Sequence, residues 1–159
     1  MHRLFLGRNV KAGVIRLVLL LVTAMVMRRW VMMPVLLQGP SMQPTCQDGQ
    51  FAVVNKLAYL FRPPQRGDLV CVWTGKELYN KRIVGLPGDE IAIRDGILYM
   101  NGQPFPEPYV TTKGHWNVAA GELGADHFAV AGDNRSIDQQ QAALAVVSQD
   151  RIVGRLMIF

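Results

Sequence analysis

Glu90-Ile-Ala-Ile-Arg94-Asp95-Gly96-Ile97-Leu-Tyr-Met100 reads as two short strands joined by a two-residue turn. Ile91 and Ile93 recur at the period of two that an extended chain requires, and Asp-Gly is a pair that accepts the positive φ angles of a tight hairpin. Similar runs flank this hairpin. Phe51 to Val54, Asp68 to Thr74 and Tyr79 to Val84 precede it, and His127 to Ala131 and Arg151 to Ile158 follow it. Breakers separate the runs at Arg62-Pro-Pro-Gln-Arg-Gly67, Leu86-Pro-Gly88 and Asn101-Gly102. The pattern predicts a mainly β, barrel-like domain that hides its strand edges. Gln103 to Asp126, with three prolines and three glycines, reads as a long loop or insertion, and Gln139 to Val147 as a short helix.

The 159 residues, half of them hydrophobic, suffice for one domain with a core plus a short appendage. The formal charge of +5 is unevenly spread. Arg3, Arg8, Lys11, Arg16, Arg28 and Arg29 lie within residues 1–29 with no acidic residue, leaving 11 basic against 12 acidic residues beyond. The basicity therefore belongs to the N-terminus, and a nucleic-acid partner loses its main support. Cys46 and Cys71 are too few for a disulfide framework and lack the clustering of a zinc site. They read as small buried side chains, with one disulfide between them left open. No metal cluster, phosphate loop or nucleotide fingerprint is present in the sequence, and no cofactor is expected.

Leu17 to Met27 is uncharged, and Val10 to Met27 is interrupted only by Lys11 and Arg16. A hydrocarbon core about 30 Å thick needs roughly 20 helical residues. Arg16 can extend its stem toward one headgroup layer, while Arg28, Arg29 and Trp30 suit the other. A cleaved signal peptide shares this description, but no convincing small-x-small site follows and the chain continues apolar through Val31 to Leu37. The division is thus residues 1–29, a basic cytoplasmic start and transmembrane anchor, and residues 30–159, an extracytoplasmic β-rich domain. Leu57-Ala-Tyr-Leu-Phe61 is a further apolar cluster, either a membrane-interface contact or a core strand.

Of the three serines, Ser136 adjoins an Asn-Arg turn and Ser148 lies in a surface segment, whereas Ser41 sits in Gly39-Pro-Ser-Met-Gln-Pro-Thr45. Two prolines and a glycine fix the backbone there, as an exposed nucleophile requires. Locally, an ordinary loop serine fits equally well. His2, His115 and His127 are poorly placed as bases, so a lysine becomes the alternative. Lysine can act only if burial brings its pKa down from about 10.4 toward neutrality. On a strand Tyr79-Asn-Lys-Arg-Ile-Val84, Lys81 stands between Tyr79 and Ile83 while Arg82 points away. A solvent-exposed Lys-Arg pair is the plainer reading of the same residues.

Three segments decide between these readings. Gly39 to Thr45, Lys81-Arg-Ile-Val-Gly-Leu-Pro-Gly-Asp89 and Gly132-Asp-Asn-Arg135 resemble, in order and spacing, the signature boxes of type I signal peptidases. The resemblance extends through Pro63 to Asp68, the hairpin and Arg151 to Gly154, covering nearly the whole chain after residue 28. It implies a Ser/Lys dyad serine protease on a β domain tethered at the outer face of the cell membrane. Its partners would be signal peptides of exported preproteins and membrane lipid. By this similarity Ser41 is the nucleophile and Lys81 the general base, with the Ser41 backbone N–H in the oxyanion hole. It also implies a shallow pocket for small residues before the cut. Arg82 and Asp133 resemble a structural ion pair behind the dyad.

Two departures stand out. Many bacterial members carry a serine whose hydroxyl completes the oxyanion hole where this chain has Gly39, although Gly-Pro-Ser-Met also resembles the mitochondrial inner-membrane peptidases. The family's Ser-x-Asp-Ser-Arg continuation is here Ser136-Ile-Asp138-Gln-Gln-Gln141, shorter and without its arginine, which leaves Ser136 a candidate for orienting Lys81. Two other functions fit the sequence: a dedicated processing peptidase of the conjugative-transfer type, and a non-catalytic presequence-binding protein.

Overall fold

The structure is a computed structural model and describes residues 10–112, 114–137 and 144–159. Helix α1 (Val10–Val26) buries no residue against the rest of the protein and passes into a π-helical turn, Met27–Val31. Together they form a 22-residue stretch, with an 18-residue window of mean hydropathy 2.1, long and apolar enough to cross a membrane. At about 1.5 Å per residue its length matches a hydrocarbon layer of roughly 30 Å. No linker follows: the chain enters strand β1 (Met32–Leu36) directly. Lys56 secures the junction, its backbone N–H donating to Val31 O (2.9 Å) and its Nζ to Arg29 O (3.0 Å).

The described strands form two antiparallel sheets. The larger has the order β1, β2 (Phe51–Asn55), β11 (Ile152–Ile158), β3 (Leu69–Trp73), β4 (Leu78–Gly85), β9 (His127–Ala131), β10 (Ala145–Ser148). The smaller has the order β7 (Gln103–Pro104), β6 (Ile97–Met100), β5 (Glu90–Arg94), β8 (Val118–Glu122). The hairpin pairs Ile91 with Met100 and Arg94 with Ile97, with positive φ at both Asp95 and Gly96.

All seven strands read from the sequence are present, with no end displaced by more than one residue. Four others escape the alternation rule. β1 holds Pro34, which lacks an N–H and fits only an edge strand. β7 and β8 lie within the 103–126 stretch expected to be a loop. β8, Val-Ala-Ala-Gly-Glu, has weak strand preference and forms because β5 offers it an unpaired edge. The helix expected over Gln139–Val147 is corrected where it is described: Ala145–Ser148 pairs with β9, because β-branched Val146 and Val147 fit an open sheet edge. Residues 139–143 lie outside the described residues. Leu57 to Phe61 is a turn rather than a core strand, with Phe61 91% exposed.

Three apolar clusters hold the domain together. Val84, Ala129 and Ala131 of the larger sheet pack with Ile91, Ile93 and Leu98 of the smaller. Val70, Val72, Ile83, Phe128 and Val130 form a second cluster. In the third, Leu37, Met42 and Cys46 from the loop after β1 pack on Ala52, Val54, Cys71 and Leu156. Both cysteines are buried free thiols, and burial pushes the Cys71 thiol up to about 11. That cluster ties the Ser41 loop to the sheet.

β11 carries a bulge between Ile152 and Gly154. A Cβ at Gly154 would stand 2.3 Å from Asn55 O and 2.8 Å from Asn55 C, so backbone itself blocks any side chain there. Gly154→Ala is expected to destabilise the domain by about 1–3 kcal/mol, the range of an overpacked core, seen as a lower thermal midpoint in detergent.

Candidate active site

The 37–50 loop is closed at its base by Leu37 N–H donating to Gln50 O and Gly49 N–H to Leu37 O, both at 2.9 Å. Gly39 has φ +85°, a conformation that strains any L side chain, and its N–H donates to Asp48 Oδ1 (2.8 Å). The glycine is thus required by the backbone, and no side-chain donor arises at this position. Pro40 O accepts from Gln43 N–H and Met42 O from Cys46 N–H, at 3.1 and 2.9 Å. The Gln43–Pro44 peptide is cis. Met42 and Cys46 are buried, which leaves half-buried Ser41 facing a cleft. Among the described residues its backbone N–H donates to no acceptor.

Lys81 lies in the middle of β4, directly opposite Val70 of β3, and is only 8% exposed. Strand alternation puts it on the face of Tyr79 and Ile83, as the sequence predicts. Ile83 is fully buried and Tyr79 half-exposed. Burial drives the Lys81 ammonium down to about 8, while the negative charge of Asp133 acts against that shift. Ser41 and Lys81 line the same cleft, of about 520 Å³, with Val35 and Leu36 of β1, Gly39 and Asn80.

Arg82 points to the opposite face and grips Asp133 with two bonds, Nε to Oδ1 at 2.9 Å and Nη2 to Oδ2 at 2.6 Å. Its Nη1 donates to Gly67 O (2.9 Å), and Thr45 Oγ1 donates to Asp133 Oδ2. The Asp133 side chain has no solvent exposure. The ion pair read from the sequence therefore joins β4, the Ser41 loop and the 132–135 turn.

Ser136 is exposed, and its hydroxyl donates to Asn134 Oδ1 (2.6 Å) rather than to Lys81. Asp138 lies outside the described residues. Asn134 is the residue that sequence reasoning passed over. Its N–H donates to Ser41 O and its Nδ2 to Pro40 O, both at 3.1 Å, so the turn clamps the serine's own backbone. The available signal was its place inside Gly132-Asp-Asn-Arg135.

The family described as signal peptidase, peptidase S26, matches residues 10–159. The chain belongs to this signal peptidase family. Its relatives include the probable signal peptidase I-1 of Synechocystis, 31% identical over 93% of this chain and 81% of that protein. Signal peptidase I T of Bacillus subtilis is 33% identical over 87% of this chain and 78% of that protein. A crystal structure of a signal peptidase I from Enterococcus faecalis aligns with a TM-score of 0.48 and 26% identity, covering 60% of this chain and 98% of that one. Membership makes this chain a hydrolase of signal-peptide processing. The mainly β architecture and the apolar N-terminal helix accord with that assignment.

Asp133→Asn leaves the Arg82 guanidinium without its buried counter-charge. The variant is expected to lose on the order of 3 kcal/mol of stability, measured by denaturant unfolding against wild type.

Proposed function

We propose that this signal peptidase is a membrane-tethered serine endopeptidase in which Ser41 is the nucleophile and Lys81 the general base. One observation carries the reading: a nearly dry lysine amine and a serine on a braced loop share one cleft. Neutral Lys81 takes the Ser41 hydroxyl proton as Oγ attacks the scissile carbonyl. The Ser41 backbone N–H, uncommitted among the described residues, donates to the developing oxyanion. Collapse breaks the peptide bond, the proton on Lys81 passes to the leaving amine, and water then hydrolyses the acyl-enzyme with Lys81 again as base. Among the described residues no hydrogen bond yet joins Ser41 Oγ to Lys81 Nζ, and such contacts commonly tighten only on substrate binding. The residues before the cut would lie in the cleft beside β1, small ones by the family resemblance.

The apolar helix supports a position for the cleft at a membrane surface. Arg28 and Arg29 follow the helix, Arg29 lies 4.9 Å over the Trp30 ring, and β1 runs from there straight to the cleft wall. With the more basic N-terminal flank inside, the catalytic domain is extracytoplasmic, and exposed Leu60 and Phe61 add apolar surface for lipid contact.

Ser41→Ala and Lys81→Met are each expected to abolish cleavage of a presequence reporter in lipid while leaving the protein folded. Wild-type protein that binds presequences and never cuts them would sink the proposal in favour of a non-catalytic presequence-binding protein.

For the wild type, kcat/KM should climb as pH rises through about 8 and level off above it, as the amine loses its proton. The same depression has a stability consequence. Lys81 in the unfolded chain holds its proton up to an ordinary value near 10.5, so native stability rises with pH between about 8 and 10.5, and the penalty is complete below 8. Lys81→Met should therefore be more stable than wild type at pH 7 by up to about 3 kcal/mol, with the difference fading toward pH 10.5 in thermal melts.

A further inference from the structure

Phe105-Pro-Glu-Pro-Tyr109 follows β7 as a strap with proline on both sides of Glu107, which fixes φ around the carboxylate. Glu107 is almost fully buried, and its Oε1 accepts from Arg135 Nη2 at 2.5 Å and from Tyr109 OH at 3.0 Å. Arg135 has no solvent exposure at all. Its Nε donates to Gly132 O (2.9 Å), closing the turn on itself, while its Nη1 has no partner among the described residues. Glu107 is the one carboxylate paired with Arg135 among the described residues. From the same strap, the Tyr109 ring lies 4.1 Å from Arg82 Cζ, and Arg66 stacks over Phe105 at 5.2 Å. The strap thus touches both arginines that flank Asp133, one on β4 and one on the turn.

We propose that Glu107 is a positioning residue for the reaction: it holds Arg135, and through it the 132–135 turn that carries Asp133 and Asn134, while Tyr109 seats Arg82. The inference rests on the reading of Ser41 and Lys81 as the reacting pair. Its physical basis is charge balance in a dry region. A buried guanidinium deprived of its carboxylate is costly, and the nearest remedy is the carboxylate two residues away on its own turn. Asp133 is already bonded to Arg82 and Thr45, so competition for it loosens the ion pair behind Lys81. It also shifts the turn whose Asn134 clamps Ser41 and Pro40. Support for the turn comes from an element 28 residues earlier in the chain.

Among the described residues the charged and titratable groups of this region are Lys81 and Arg82 on β4, Asp133 and Arg135 on the turn, Glu107 and Tyr109 on the strap, Arg66 against Phe105, and Cys46 on the serine loop. With Arg135 competing for Asp133, the one carboxylate that favours the charged Lys81 is shared between two guanidiniums, and the Lys81 proton becomes easier to lose. Full-length Glu107→Gln in lipid is expected to lose kcat by about tenfold or more with KM little changed. The midpoint of its acid limb should move to lower pH, and Glu107→Asp should restore the limb. Labelled-lysine NMR of Lys81 in wild type and variant reads the same shift without turnover. A wild type that cuts no better than Ser41→Ala would fail the dyad reading alone, because the NMR shift still tests Glu107. Unchanged kcat with an unmoved midpoint in Glu107→Gln would overturn the proposal. Should that variant not fold, Glu107→Gln combined with Arg135→Met, which leaves no uncompensated buried charge, decides instead: wild-type kcat and pH profile in it would equally overturn the proposal.

Discussion

The carboxylate of Asp133, entirely withdrawn from solvent, is the point on which the cleft depends. Arg82 meets it with two hydrogen bonds and Thr45 with a third, so one buried charge ties a central strand to the serine loop and to the following turn. Each of these segments alone would lack a fixed position relative to the others. The pairing also governs the neighbouring amine. Asp133 favours a charged Lys81, yet burial outweighs it, and Arg82 already neutralises much of the carboxylate's field. A largely compensated carboxylate braces the site while leaving the lysine amine near 8 rather than at its ordinary value.

The serine loop is fixed from two sides by different forces. Below, Met42 and Cys46 fill an apolar cluster with Cys71 and Leu156, and burial keeps both thiols protonated. Alongside, Asn134 donates to Ser41 O and adds a second donor to Pro40 O, which already accepts from Gln43 N–H within the turn. Among the described residues the Ser41 N–H and hydroxyl remain unengaged, as the proposed role of Ser41 requires. No linker separates the apolar helix from β1, and β1 itself forms part of the cleft wall.

The legible part of the fold was the part governed by local rules. The hairpin at Asp95-Gly96 and the strands around it follow from alternation and turn chemistry, and the apolar helix from the run of uncharged residues. β8 and β10 were not legible because Val-Ala-Ala-Gly-Glu and Ala-Val-Val-Ser become strands only where a neighbour offers unpaired backbone. β1 was hidden by Pro34, which an edge position tolerates. For the site, strand alternation placed Lys81 and Arg82 on opposite faces, but no local rule connects Asn134 to Pro40 or Glu107 to Arg135.

By itself, then, the sequence determined the mainly β class, the apolar helix, and which residue types could supply a nucleophile and a base. Only tertiary structure decided that Ser41 and Lys81 share a cleft, that Ser136 bonds Asn134, and that the 103–126 stretch packs against the two arginines. The physical reason is that burial and charge pairing are sums over neighbours distant in the chain. A lysine's pKa and an arginine's partner are properties of the assembled environment, whereas alternation and turn preference belong to a few consecutive residues.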